Sequence, residues 1–155
     1  MTAIKNVRGN DVYYYVEWSR LFEYDRHSVT RLIPELPGLV WMQHRINRQM
    51  VDMLFFACWR DGLRVGIKKL MDEFSTTRVS LRERLSESEV YFRYAIIDTH
   101  PNDIKDIMYW MIREYRPELN DADTFTDSKR YMNIFVKEKF EDEKQGHRPP
   151  SVATK

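Results

Sequence analysis

Two apolar runs dominate the hydrophobic pattern of the chain. The first is Ile33-Pro34-Glu35-Leu36-Pro37-Gly38-Leu39-Val40-Trp41-Met42, and the second is Val51-Asp52-Met53-Leu54-Phe55-Phe56-Ala57-Cys58-Trp59. Pro34 and Pro37 stop what precedes them, because proline lacks the N–H that a continuing helix needs. Gly38 opens a strand of bulky residues, and the polar Asn47-Arg48-Gln49 turns the chain back. The second run is apolar on both faces and reads as a central strand covered on both sides. Two strands alone do not hold in water, so this pair requires further elements around it.

Those elements follow from the rest of the pattern. Residues 12–18 are β-branched and aromatic and suit a strand, and 21–24 continue it or form a second one. Ser28 is placed to cap a short helix over 29–33. After Trp59 the period changes: Leu63, Ile67, Leu70, Met71 and Phe74 share one helical face. Gly66 interrupts that helix at about 1 kcal/mol relative to alanine, which points to close packing against the sheet. Ser80 and Glu83 have capping-box spacing for a helix over 81–85, and 90–97 read as another strand. Thr99 or Asn102 begins the clearest helix, striped by Ile104, Ile107, Met108, Met111, Ile112 and Tyr115 and ended by Pro117. Residues 131–136 fit a helix or a strand equally well. The expected fold is a small α/β (α+β) domain with a mixed or antiparallel sheet of three to five strands flanked by helices. Residues 1–127 would form the domain, with an N-terminal strand extension. Residues 128–140 would pack on it and 141–155 would be a disordered tail.

Charge narrows the function classes only slightly. Charged residues make up 32% of the 155, yet the net charge is +1. Binding to nucleic acid or an anionic membrane would therefore need a local patch. Cys58 is the only cysteine, so no intrachain disulfide forms. With neither a leader pattern at the start nor an apolar run of about 20 residues, the expectation is a soluble cytoplasmic protein without membrane contact.

The order of four landmarks resembles the GIY-YIG endonuclease superfamily. These are Val16-Glu17-Trp18-Ser19, Ile33 to Val40, Val90-Tyr91-Phe92-Arg93-Tyr94-Ala95, and Ile112-Arg113-Glu114-Tyr115-Arg116-Pro117-Glu118-Leu119-Asn120. The resemblance spans residues 12–120. It implies a three-stranded sheet flanked by helices that cuts phosphodiesters with one divalent metal. In the family two strand tyrosines sit near the nucleophile, a first-helix arginine holds phosphate and a last-helix glutamate binds the metal. Those roles fit hydroxyl proton relay, guanidinium–phosphate pairing and hard-cation preference for carboxylate. Here the positions carry other residues. Gly38-Leu39-Val40 puts Val40 at the first tyrosine, Phe56-Ala57-Cys58 puts Phe56 at the second, the arginine falls on Gly66, and the glutamate falls on Met108, a soft ligand. A second register sets Arg64-Val65-Gly66 at the second motif and Arg82 or Arg84 at the arginine, but supplies neither tyrosine and breaks the stripe from Leu63.

Other candidates are fewer. His27, His44, His100 and His147 have no metal-ligand spacing and read as surface or capping residues. Cys58 reads as a buried inert thiol. Asp103 and Asp106 could stand in for the lost carboxylate, although Asp106 projects away from Met108 on a helical wheel. Arg60, Arg64, Lys68 and Lys69, followed by Arg78, Arg82 and Arg84, could bind phosphate or simply form a solvated face beside Asp61, Asp72 and Glu73. Trp110 points away from the stripe, so it is covered by the C-terminal segment or offered to a partner. The expected function is a catalytically inactive GIY-YIG-like domain that binds nucleic acid weakly, or a protein partner or second copy, with no cofactor. The alternative is a metal-dependent endonuclease with rearranged residues.

Overall fold

The computed structural model describes residues 2–71 and 89–142. Two sheets, of four and three strands, enclose one long helix, and two shorter helices cover the far face of the larger sheet. The chain is a small mixed α/β protein, as its pattern of apolar runs implies.

The larger sheet is built on the central hairpin. β4 (Gly38–Ile46) and β5 (Gln49–Cys58) pair antiparallel, with Val40 opposite Phe56 and Ile46 opposite Gln49. Asn47 and Arg48 both have positive φ, 50° and 68°. Two left-handed residues make the tight turn whose twist matches a hairpin. β6 (Glu89–Ile96) pairs antiparallel with the other side of β4, and the two-residue β3 (Phe22–Glu23) pairs with β6. The strand order is β3-β6-β4-β5. β4 is therefore the central strand, with its first seven residues buried, and β5 lies at the edge. This corrects the sequence expectation, which put the second apolar run in the centre. β5 is apolar on both faces because helices cover both faces, whichever strands neighbour it.

Its edge is closed by other means. Beyond the long helix, the Glu118 and Leu119 amides donate to the carbonyls of Asp52 and Met53, at 3.2 and 2.9 Å. Asn120 then bonds both backbone groups of Phe55, accepting its N–H at 2.7 Å and donating to its carbonyl at 3.0 Å. A side-chain amide mimics a strand residue there, so an exposed edge becomes a satisfied one.

The smaller sheet has the order β1-β2-β7. β1 (Ile4–Arg8) runs antiparallel to β2 (Asp11–Trp18), and β7 (Asn133–Phe140) runs parallel to β2. The stretch that fits helix and strand equally is thus a strand, and residues 128–140 pack on the domain by extending a second sheet. Glu141 and Asp142 continue the order past the expected start of the tail. The Glu141 amide donates to the Trp18 carbonyl, and Asp142 pairs with buried Arg93 at 2.9 Å. The sheets join at β6, where the Ser19 amide donates to the Tyr94 carbonyl and Ala3 to Ile96.

α3 (Pro101–Tyr115) lies between the sheets. Its N-cap is His100, whose Nδ1 accepts from the Asn102 amide, and its C-cap is Arg116 in the left-handed region. Ile104, Ile107, Met108, Met111 and Ile112 meet Trp41 and Phe55 of the larger sheet and Val12, Val16 and Trp18 of the smaller. On the far face, α1 (Arg26–Leu32) and α2 (Gly62–Met71) cover Val40, Met42 and Leu54. α1 starts at Arg26, ahead of the expected boundary, so position 28 lies inside the helix. The helix expected over 81–85 lies outside the described residues, as do Phe74, Arg78 and His147.

Candidate functional site

The four positions marked by the family resemblance do not form one cluster. Val40 and Phe56 are cross-strand partners on the face covered by α1 and α2. Gly66 on α2 lies over them: a β-carbon there would sit on Cys58 Sγ and 3.9 Å from the Phe56 ring. Met108 belongs to the opposite core, with Trp41, Phe55 and the smaller sheet. The sheet itself separates it from the other three. All four side-chain positions are apolar or empty, so this constellation holds neither a proton relay nor a hard cation. Among the described residues, no group of three or more His, Cys, Asp or Glu could hold a metal ion.

Beside Phe56 and Gly66 lies an open groove of about 290 Å³, lined also by Trp59, Arg60, Asp61 and Lys69. Trp59 is 37% exposed there. Lys69 donates to Asp61 at 2.7 Å, which lowers the Asp61 carboxyl. Cys58 is buried beneath, and burial, helped by the Asp61 charge, pushes its thiol up to about 12. An un-ionised thiol at neutral pH is no nucleophile, so the inert reading of Cys58 is the one its surroundings favour.

The cationic candidates are partly committed. Arg64 donates to the Ile33 carbonyl at 2.8 Å and pairs with Glu35 at 3.5 Å, tying α2 to the end of α1. Lys69 holds Asp61, Lys68 is half-buried and Arg60 is exposed. Arg82 and Arg84 lie outside the described residues.

Sequence reasoning named Asp103 and Asp106 but missed the polar cluster they anchor. Asp103 and Asp106, 1% and 0% exposed, sit on the face of α3 that meets the smaller sheet. Arg130 bridges them, with 2.9 Å to each. Asp103 also accepts from Tyr14 (2.8 Å) and Thr99 (2.6 Å) and pairs with Lys5 at 3.0 Å. Asp106 accepts from the Ser128 amide and hydroxyl. Burial alone would raise the Asp103 carboxyl, but bonds from Thr99, Arg130, Lys5 and Tyr14 outweigh it and hold the group well below the usual range. Burial, then the bond to Asp103, pushes the Tyr14 phenol far up. For Arg130 burial works the other way and is again overcome, by Asp103 and Asp106. Both aspartates are thus already engaged, by two cations and three hydroxyls between them. The signal was present as an i, i+3 acidic pair inside an apolar stripe, yet its partner lies 24 residues beyond Asp106.

Two further placements differ from expectation. His44 is fully buried, not a surface residue, and its Nε2 lies 2.9 Å from Glu118. Trp110 is half-buried and lines a hollow with Met132, Asn133 and Ile134 of the C-terminal segment, while Phe135 turns outward and stacks on Tyr13. A hollow of about 360 Å³ remains between Tyr109, Trp110, Arg113 and Met132.

A family model described as "Uncharacterised protein" matches residues 3–155, and the chain belongs to that family. No curated protein and no solved structure matches it. No helix among the described residues is long and apolar enough to cross a membrane.

Proposed function

We propose that the chain is a GIY-YIG-like domain that has lost nuclease chemistry and acts by binding nucleic acid. The supporting observation is the split of the motif positions: Val40, Phe56 and Gly66 lie in one apolar core and Met108 in the other. The antiparallel order β6-β4-β5, with a helix after β5 and another after β6, fits the frame the resemblance implies. Asn120 gives the Pro-x-x-Asn ending a structural purpose that needs no catalysis. Nucleic acid is favoured as ligand because exposed Trp59 stands beside Arg60 and Lys69, an aromatic-plus-cation combination suited to a base and its phosphate.

Two other readings rest on specific features. A protein partner is supported by the hollow at Trp110, where Met132 is 75% exposed. A rearranged nuclease would have to use Asp103, Asp106 or Arg64, all of which already have partners. The test is incubation of highly purified protein with supercoiled and branched DNA and either Mg²⁺ or Mn²⁺. The expected result is retention of DNA without nicking. Nicking that co-purifies with the protein and vanishes in Asp103→Ala or Arg64→Ala would overturn the proposal.

A further inference from the structure

The outer face of the smaller sheet carries a stack of unlike groups. Along β2 the burial alternates, leaving Tyr13 and Tyr15 outward at 40% and 37% exposure. On β7 the outward positions are Asn133, Phe135, Lys137 and Lys139. Tyr13 faces Phe135 across the parallel pair, and their rings stack at 4.9 Å with 13° between planes. From the β1 side, the Arg8 guanidinium lies 5.6 Å from the Tyr13 ring. A column of guanidinium, phenol and phenyl thus crosses the sheet and stops at Phe135, which is 44% exposed on the outer strand β7.

We propose that this face binds single-stranded nucleic acid, a base extending the column by stacking on Phe135. The inference rests on the nucleic-acid reading above and assigns it a surface distinct from the Trp59 groove. Two cations follow Phe135 on the same face of β7, Lys137 and Lys139. A two-residue step along a strand is about 6.6 Å, a spacing that suits successive phosphates of an extended single strand. Asp11 and Glu17 also point outward, at opposite ends of β2; Asp11 accepts from Asn133, and Glu17 sits opposite Lys139. The cations therefore outnumber the carboxylates around the rings only slightly. Stacking, which every base can provide, carries the affinity, and charge adds a modest, salt-sensitive part. A duplex hides its base faces and would not satisfy the column.

The experiment uses the full chain and fluorescence anisotropy of labelled oligothymidylate, oligoadenylate and a duplex of matched length. Wild-type protein should bind both single strands more tightly than the duplex. Phe135→Ala should weaken single-strand binding about 5- to 150-fold, the range for one lost base stack. Phe135→Trp should retain it, and Lys137→Glu with Lys139→Glu should weaken it most at low salt. All these side chains are exposed, so unchanged thermal midpoints establish that the variants are folded. Wild-type affinity in Phe135→Ala overturns the proposal. If Arg60→Glu with Lys69→Glu alone abolishes binding, the groove is the site; the sheet-face proposal falls and the binding function stands. If no oligonucleotide binds wild-type protein, both fall. A concentration-dependent dimer that Phe135→Ala dissociates would make the face a self-association surface, again overturning the proposal.

Discussion

A β-carbon at position 66 would fall on the sulfur of Cys58, so the glycine that interrupts α2 is there to let the helix lie against β5. The sequence carried the first half of that argument, a helix-weakening residue tolerated for packing, but not the atom responsible. The same contact bears on function, since an arginine at 66 could not replace the glycine without lifting α2 off the sheet. Gly66→Ala should cost up to about 2 kcal/mol net, overpacking of about 1–3 less about 1 of helix propensity. In a Cys58→Ala background, without the sulfur, the same change should be neutral or stabilising by up to about 1 kcal/mol. Urea unfolding of the four proteins measures this coupling, and a fully additive cycle would show that Cys58 is not what Gly66 accommodates. His44 illustrates the opposite limit. Nothing near it in the sequence shows that a histidine on β4 is fully buried, because its partner Glu118 lies 74 residues away.

Among the elements, those whose own period sets their type were legible: β2, the β4–β5 hairpin, β6 and α3. β1 was not, because Ile4 and Val7 are exposed and its pairing with β2 gives no strong alternation. β7 does alternate, with Ile134, Val136 and Phe140 inward, but Glu138 also points inward and breaks the apolar pattern. The structure supplies the reason: Glu138 accepts from the Trp18 indole at 2.8 Å and the Tyr115 hydroxyl at 2.7 Å. The edge position of β5 was illegible for a related reason, since a segment without regular structure closes it. Asn120→Ala removes both bonds to the Phe55 backbone and leaves two half-buried groups to find water. The cost should be about 1–3 kcal/mol. Hydrogen exchange at the Phe55 amide should speed up more than at the β4 amides. Uniform acceleration across the sheet would mean that the loss is global and that Asn120 is not a local edge clamp.

For the molecule as a whole, α3 is held between two sheets by apolar packing against both and by the Asp103–Arg130–Asp106 cluster where it meets β1, β2 and the segment leading into β7. Asp103 and Asp106 stood out in the sequence as candidate carboxylates, but their partners did not, because the parts of the cluster come from residues 5, 14, 99–106 and 128–130 and meet only when the second sheet forms. Arg130 is its keystone, being the one group among the described residues bonded to both aspartates. Replacing Arg130 by methionine keeps much of the side-chain volume and strands two buried carboxylates. The expected loss at pH 7 is about 3 kcal/mol, the low end for a broken buried pair, because 28% of the Arg130 side chain meets water and Lys5 remains on Asp103. The pH dependence has a definite sign. The Asp103 carboxyl is held below its unfolded value, so its contribution is complete above about pH 4 and is lost as pH falls from there toward the folded value. Wild-type protein should therefore lose stability steeply below about pH 4. Arg130→Met should show a flatter acid limb, since its aspartates are less strongly held in the charged form. Urea midpoints at pH 7, 4.5 and 3 separate these outcomes. Equal midpoints for the two proteins at pH 7, or parallel acid limbs, would show that Arg130 does not hold the sheets to α3. The joint would then rest on the apolar core around Trp18, Trp41 and Phe55.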